Sequence, residues 1–219
     1  MFNQFQSFKG KHSGESAILF ATGPSVKDFS YALLPESPTV HVGVHKIIFN
    51  DDIALDYFFC ADVRTAGDQS VNALPNDEER ATYMDKIVAR SIDMQAFCCC
   101  GMFVGHDGRR VDVFHTVEEA ERMNAILFEL HSKRGSEHFT TDIVSDRMYD
   151  HSIIFSPLEF LLYAEVKRIY LVGCDCNLSG DLRWHWEQFA EFKNKEYPNV
   201  EIVSVNPRNL KDLFSYIGG

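Results

Sequence analysis

Short apolar runs recur along the chain, and polar stretches with turn residues or helical spacing separate them. Ile18 to Ala21 is apolar at every position, the pattern of a strand buried on both faces. Thr22-Gly23 breaks it, Pro24 suits a first helical position, and Val26 to Leu34 is predicted to be a short helix ending before Pro35. Thr39 to Val44 and Tyr57 to Ala61 are predicted as the next strands. Residues 64–77 then form a loop, and Asp77 to Arg90 a polar helix. Met94 to Val104 is an apolar strand, and His106-Asp107-Gly108 turns it into a hairpin with Arg110 to Phe114. Thr116 and Glu119 have capping-box spacing and open a helix through Ala120, Met123, Leu127 and Leu130. Lys133 to Asp150 is polar and is a candidate mobile segment over a site, or a plain surface loop.

The last third is the most regular. Ser156-Pro157-Leu158-Glu159 combines an N-cap, a first-position proline and a capping-box acid, opening a helix to about Ala164. Val166 to Val172 is a buried strand, Trp184 to Phe192 a helix, Val200 to Val205 a strand, and Asn206-Pro207 opens a final helix through Phe214 and Tyr216. Strands alternating with helices predict an α/β fold whose sheet is mainly parallel. The expected organisation is one domain over residues 1–219, with residues 64–150 a less regular insertion or lid.

Composition narrows the function classes. A formal net charge of -11 argues against nonspecific nucleic-acid binding. No run of eighteen apolar residues predicts a membrane span, so membrane contact would be peripheral. Met1 to Lys11 lacks the apolar core of a signal peptide, and six cysteines without CxxC spacing read as reduced thiols, so a cytoplasmic protein is expected. Cys98 to Cys100 is a weak metal candidate, because adjacent strand residues face opposite sides.

The candidate chemistry lies at strand ends. In open α/β sheets, ligands bind beyond the carboxyl ends of the strands. Thr22, Gly23, Pro24 and Ser25 follow the first strand and form a candidate phosphate cradle, since free amides at such a turn favour anions. Ser25 is either a phosphate ligand or the cap of the next turn. His45 and Lys46 end the second strand, Asp62 the third, and Gly173, Asp175 and Asn177 a later one. Ser152 and Ser156, beside His151, stand at a helix start that faces the ligand or merely caps. His185 is a candidate general base or a surface histidine between two tryptophans, with His151 second in line.

Five segments together resemble a family: T-G-P-S-V after a strand, the strand ending in His45-Lys46, Y-F-F-C-A-D, S-P-L-E-F-L-L-Y-A, and R-I-Y-L-V-G-C-D-C-N. They resemble the bacterial sialyltransferases that modify lipooligosaccharide. They resemble equally a broader Rossmann-like group that includes motility-associated glycosyltransferases and archaeal-type hydroxymethylpterin diphosphokinases. The resemblance covers about half the chain, at both ends. It implies a Rossmann-like (GT-A-type) nucleotide-sugar fold, with CMP held by the G-P-S turn and the serine-bearing helix start. Three departures weaken sialic acid as the donor. Thr22 stands where the family has asparagine, His45-Lys46 replaces an Asn-Gln pair, and Cys176-Asn177 follows Asp175 where a tyrosine pair is expected.

The expected activity is therefore sugar transfer from a nucleotide donor, a CMP-sugar, to a hydroxyl of a bacterial surface glycan or protein, with no cofactor. The partners are the donor and acceptor, and a homo-oligomer is compatible. The first alternative is Mg²⁺-dependent diphosphate transfer to a small alcohol such as a pterin, with Asp62 and Asp175 as metal ligands. The second is a nucleotide-binding module without turnover.

Overall fold

A computed structural model of the chain describes residues 2–60, 77–100, 102–104, 110–112, 116–130, 138–149, 152–175, 180–205 and 210–217. Its centre is a parallel sheet. The strands are β1 (Ser16–Phe20), β2 (Val40–Val44), β3 (Tyr57–Cys60), β4 (Gln95–Cys99), β7 (Ala125–Phe128), β8 (Arg168–Val172), β9 (Glu201–Val205) and β10 (Ser215–Ile217). They lie in the order β10-β9-β8-β1-β2-β3-β4-β7, and every neighbouring pair is parallel. The α/β expectation holds, and the middle of the chain supplies two strands of this sheet.

Burial on both faces explains the all-apolar strands. Ala17, Leu19 and Ala21 join one core cluster while Ile18 and Phe20 join the other. The same alternation sends Phe59, Phe97 and Leu171 to the first face and Phe58, Cys98 and Val172 to the second. The first face is covered by α3 (Phe155–Tyr163), α4 (Gly180–Glu196) and an N-terminal 3-10 turn (Phe2–Phe8). Phe5 of that turn stacks on Phe97 at 5.3 Å between ring centroids, and Phe8 packs on Tyr57 and Phe160. The second face takes α1 (Asp77–Arg90) and α2 (Val117–Arg122). Among the described residues no helix is long and apolar enough to cross a membrane.

Several local expectations are corrected. The predicted helix at 26–34 is two 3-10 turns, Pro24–Asp28 and Tyr31–Leu33. The Ser30 side chain accepts the Ala32 amide between them and so competes with a continuing helix. The apolar run at 94–104 divides into β4 and β5 (Met102–Val104); β5 pairs antiparallel with β6 (Arg110–Asp112), which is the anticipated hairpin on shorter strands. The helix opened by Thr116 stops at Arg122. Asn124 turns with a left-handed φ of 48°, and Ala125–Phe128 joins the sheet edge beside β4. The final helix is replaced over Ser215–Ile217 by β10, and 206–209 lie outside the described residues.

The capping box itself is complete. The Glu119 amide donates to the Thr116 side chain at 3.1 Å, and Glu119 Oε2 accepts the Thr116 amide at 2.8 Å. Replacing Thr116 by Ala is expected to cost about 1 kcal/mol in urea denaturation, the ordinary worth of a cap. An unchanged midpoint would mean that tertiary packing alone holds α2.

Candidate functional site

Strand order reverses between β1 and β8. From β1 the chain builds outward through β2, β3, β4 and β7, whereas β8, β9 and β10 build the other way. The segments leaving the carboxyl ends of β1 and β8 therefore part at that point, where open α/β sheets form their binding crevice.

Two glycines bring these segments together. Pairing continues past the strands: the Ala21 amide donates to the Val172 carbonyl and the Gly23 amide to the Gly173 carbonyl, both at 2.8 Å. Gly23 has an ordinary extended backbone (φ −64°), so it is needed for space and not for conformation. A Cβ there would fall inside contact distance of the Gly173 carbonyl oxygen and Asp175 Oδ2. Gly173 has φ +72°, and a Cβ on it would meet the Ala21 carbonyl. The Ser25 amide donates to Asp175 Oδ2 at 2.7 Å, and both residues are buried. Gly23, Ser25, Gly173 and Asp175 thus form one constellation at the reversal point.

That geometry changes the reason given for the turn. The close approach that Gly23 permits is to Gly173 and Asp175. Its amide and that of Ser25, the expected phosphate donors, are bound within the protein, and Pro24 begins a 3-10 turn of five residues in place of a helix. Thr22 and Pro24 are exposed at the rim.

His45 and Lys46 stand on the neighbouring strand end. The β1–β2 register pairs Phe20 with Gly43, so Thr22 and His45 each lie two residues beyond the same pair. His45 has a left-handed φ of 51°, uncommon for a residue other than glycine and frequent at functional sites. Burial pushes its imidazole down to about 4, with the Lys46 charge adding to the effect. Although part of its surface reaches solvent, the ring is therefore neutral at pH 7. It offers hydrogen bonds and no charge, while exposed Lys46 keeps the cationic role.

The remaining candidates are placed less centrally. Asp62, His151 and Asn177 lie outside the described residues. Ser152 is half-buried, and its carbonyl accepts the Phe155 amide. Ser156 is not the helix cap: Ile154 holds that position, and Ser156 sits in the first turn of α3 with no exposure. Its buried Oγ has no hydrogen-bond partner among the described residues. His185 is no surface residue. It is 5% exposed, lies on α4, and hydrogen-bonds through Nδ1 to the Tyr149 hydroxyl.

Two residues here were missed from the sequence. Glu159, read as a capping acid, is a carboxyl wholly inside the apolar helix F-S-P-L-E-F-L-L-Y. Its Oε1 accepts the Thr140 amide at 2.7 Å and its Oε2 the Tyr149 amide at 2.8 Å, which holds residues 138–149 against α3. Burial raises it to about 8, against the lowering effect of the two amides; Asp146 adds to the rise. Phe139, Ile143, Met148 and Tyr149 of this segment are buried in the first core. The one signal for Glu159 was a lone acid among apolar helical positions; Tyr149 gave none.

Asp62 and Asp175 were the possible metal ligands. Of these the described one, Asp175, already accepts the Ser25 amide through Oδ2. Among the described residues no group of three or more His, Cys, Asp and Glu side chains is placed to hold a metal ion.

No family model matches the chain, and no curated protein matches it. The solved structures similar to it include two of a sialyltransferase. One is the sialyltransferase CstII from Campylobacter jejuni in complex with a substrate analogue, cytidine-5'-monophosphate. It is 14% identical over 94% of this chain and 86% of that one, with a TM-score of 0.39. The other is a point mutant of the alpha-2,3/8-sialyltransferase CstII, 14% identical over 93% of this chain and 87% of that one, also with a TM-score of 0.39. The parallel sheet itself, not this likeness, establishes the α/β fold.

Proposed function

We propose that the chain is a glycosyltransferase that binds a nucleotide-activated sugar, a CMP-sugar in the first instance, beyond the carboxyl ends of β1 and β8. The supporting observation is the packing of Gly23, Ser25, Gly173 and Asp175 at the point where strand order reverses, with Thr22, His45 and Lys46 along the same rim. In this reading Thr22 and Lys46 meet the phosphate, since the Gly23 and Ser25 amides are engaged within the turn. The neutral His45 ring hydrogen-bonds the nucleoside. The acceptor oxygen attacks the anomeric carbon, the bond from that carbon to the phosphate oxygen breaks, and CMP leaves with the electron pair. The acceptor proton passes to His185, whose ring Tyr149 orients. The reading asks for no metal.

Calorimetric titration of the whole chain with CMP, other nucleotides and nucleoside triphosphates, with and without Mg²⁺, tests it. Saturable CMP binding without Mg²⁺ is expected. His45→Ala should weaken it by the same factor at pH 6 and pH 8, because the ring stays neutral until about 4. A factor that changes between those pH values would mean that His45 titrates as an ordinary histidine and contributes charge. Binding confined to Mg²⁺-triphosphate would instead favour diphosphate transfer, and absence of any nucleotide binding would remove the proposal.

A further inference from the structure

A cleft of about 280 Å³ lies between residues 138–149 and the outer face of α4. That volume is near the lower end of small-molecule sites, roughly 300 Å³, and suits one or two sugar rings. Stacked aromatic rings back it. Phe139 stacks on Tyr149 at 4.1 Å and on Phe192 at 5.4 Å between centroids. At its mouth Trp184 is 48% exposed, an unusual position for an indole on a helix that buries its neighbours His185 and Trp186. Gln188 and Glu191 follow Trp184 at i+4 and i+7 and so share its face of α4.

The lining points to one chemistry. The exposed indole of Trp184 can pack against the C–H face of a pyranose ring, while the sugar's hydroxyls, each donor and acceptor, need partners of both kinds at the rim. The Gln188 amide supplies both kinds and the Glu191 carboxylate accepts. Charge selects further. Lys195 pairs with Glu196 at 2.7 Å, which leaves Glu191 as the surplus formal charge among the lining residues. A negative lining repels anionic ligands and tolerates uncharged ones. One lining residue connects the cleft to the candidate base: Tyr149 carries the hydroxyl that hydrogen-bonds His185 Nδ1.

We propose that this cleft binds an uncharged saccharide, and that in the transfer reaction it is the subsite for the acceptor glycan; the acceptor role rests on the glycosyltransferase reading above. Titration of the whole chain with lactose, maltose and cellobiose, and with glucose 6-phosphate as the anionic control, followed by saturation-transfer NMR, tests the site. At least one of the three disaccharides is expected to bind saturably in the millimolar range, with glucose 6-phosphate at least tenfold weaker. Trp184→Ala should weaken the disaccharide at least tenfold and Gln188→Ala several-fold, while CMP binding stays unchanged. The inference is overturned if none of the three disaccharides binds, if Trp184→Ala leaves binding intact, or if glucose 6-phosphate binds equally well. The two readings fail separately. CMP binding without saccharide binding refutes the cleft alone. Saccharide binding lost in Trp184→Ala, in a chain that binds no nucleotide, keeps the sugar site and refutes its acceptor role.

Discussion

Gly23→Ala is expected to destabilise the whole protein, by roughly 3–6 kcal/mol in denaturant titration, and Gly23→Val is expected not to fold. The added methyl would press on the Gly173 carbonyl and the Asp175 carboxylate, with Asp175 Cγ at only 3.0 Å. Neither neighbour has room to yield. Gly173 is fixed by its own tight approach to Ala21, and Asp175 by the buried bond from the Ser25 amide. Overpacking costs about 1–3 kcal/mol, and loss of a buried hydrogen bond to a charged group about 1.5–3 kcal/mol more. Against a total stability of roughly 5–15 kcal/mol, that is enough to depopulate the native state of a marginal domain. Asp175→Ala relieves part of the crowding, so the double substitution should cost less than the sum of the two single ones. If Gly23→Ala stays within 1 kcal/mol of the parent, the strand ends are not packed as described. A nucleotide-binding defect in a Gly23 variant would therefore report on the turn first and on any ligand only second.

How far the sequence discloses this molecule depends on the range of the forces involved. Ile18 to Ala21 and Ile169 to Val172 are readable as buried strands because burial on both faces leaves an unbroken apolar run, and the two pair directly in the sheet. Asp77–Arg90 reads correctly because it holds no glycine or proline and its buried positions, Arg80, Tyr83, Met84 and Ile87, keep helical spacing. Ala125–Phe128 does not, because four apolar residues after a capped turn fit either period, and the free edge of β4 decides the outcome. Ser215–Ile217 fails for the same reason at the opposite edge, beside β9. The site shows the same division. The strand-end positions of Gly23, Ser25 and Asp175 are visible as punctuation in the chain. That Asp175 would take the Ser25 amide, 150 residues away in sequence, is not. Tyr149 and Glu159 are invisible as partners, since their bonds exist only once residues 138–149 fold onto α3.

Glu159 should make the protein less stable as pH rises through neutrality. Its carboxyl is 1% exposed and titrates at about 8 in the folded chain, against 4.5 for an unperturbed glutamate. Between those values the native state holds a proton that the unfolded state has released, so stability falls with rising pH across that window. The contribution is fully present below about 4.5 and lost as pH passes through about 8; a shift of that size corresponds to on the order of 5 kcal/mol. The groups that face it are the amides of Thr140 and Tyr149, which favour its charge, and Asp146, which opposes it. Tyr197 is itself raised to about 12, first by burial and then by the Glu159 charge. Urea midpoints of the parent should drop between pH 6 and pH 9 much more than those of Glu159→Gln. The variant starts lower, because its NH₂ group faces one of the two amide donors and one bond is lost, at about 1–3 kcal/mol. Its curve should then run nearly flat and approach the parent at alkaline pH. Parallel curves for the two proteins would show that Glu159 does not carry the pH dependence, and that ionised Glu159 is held by its two amides at no net cost.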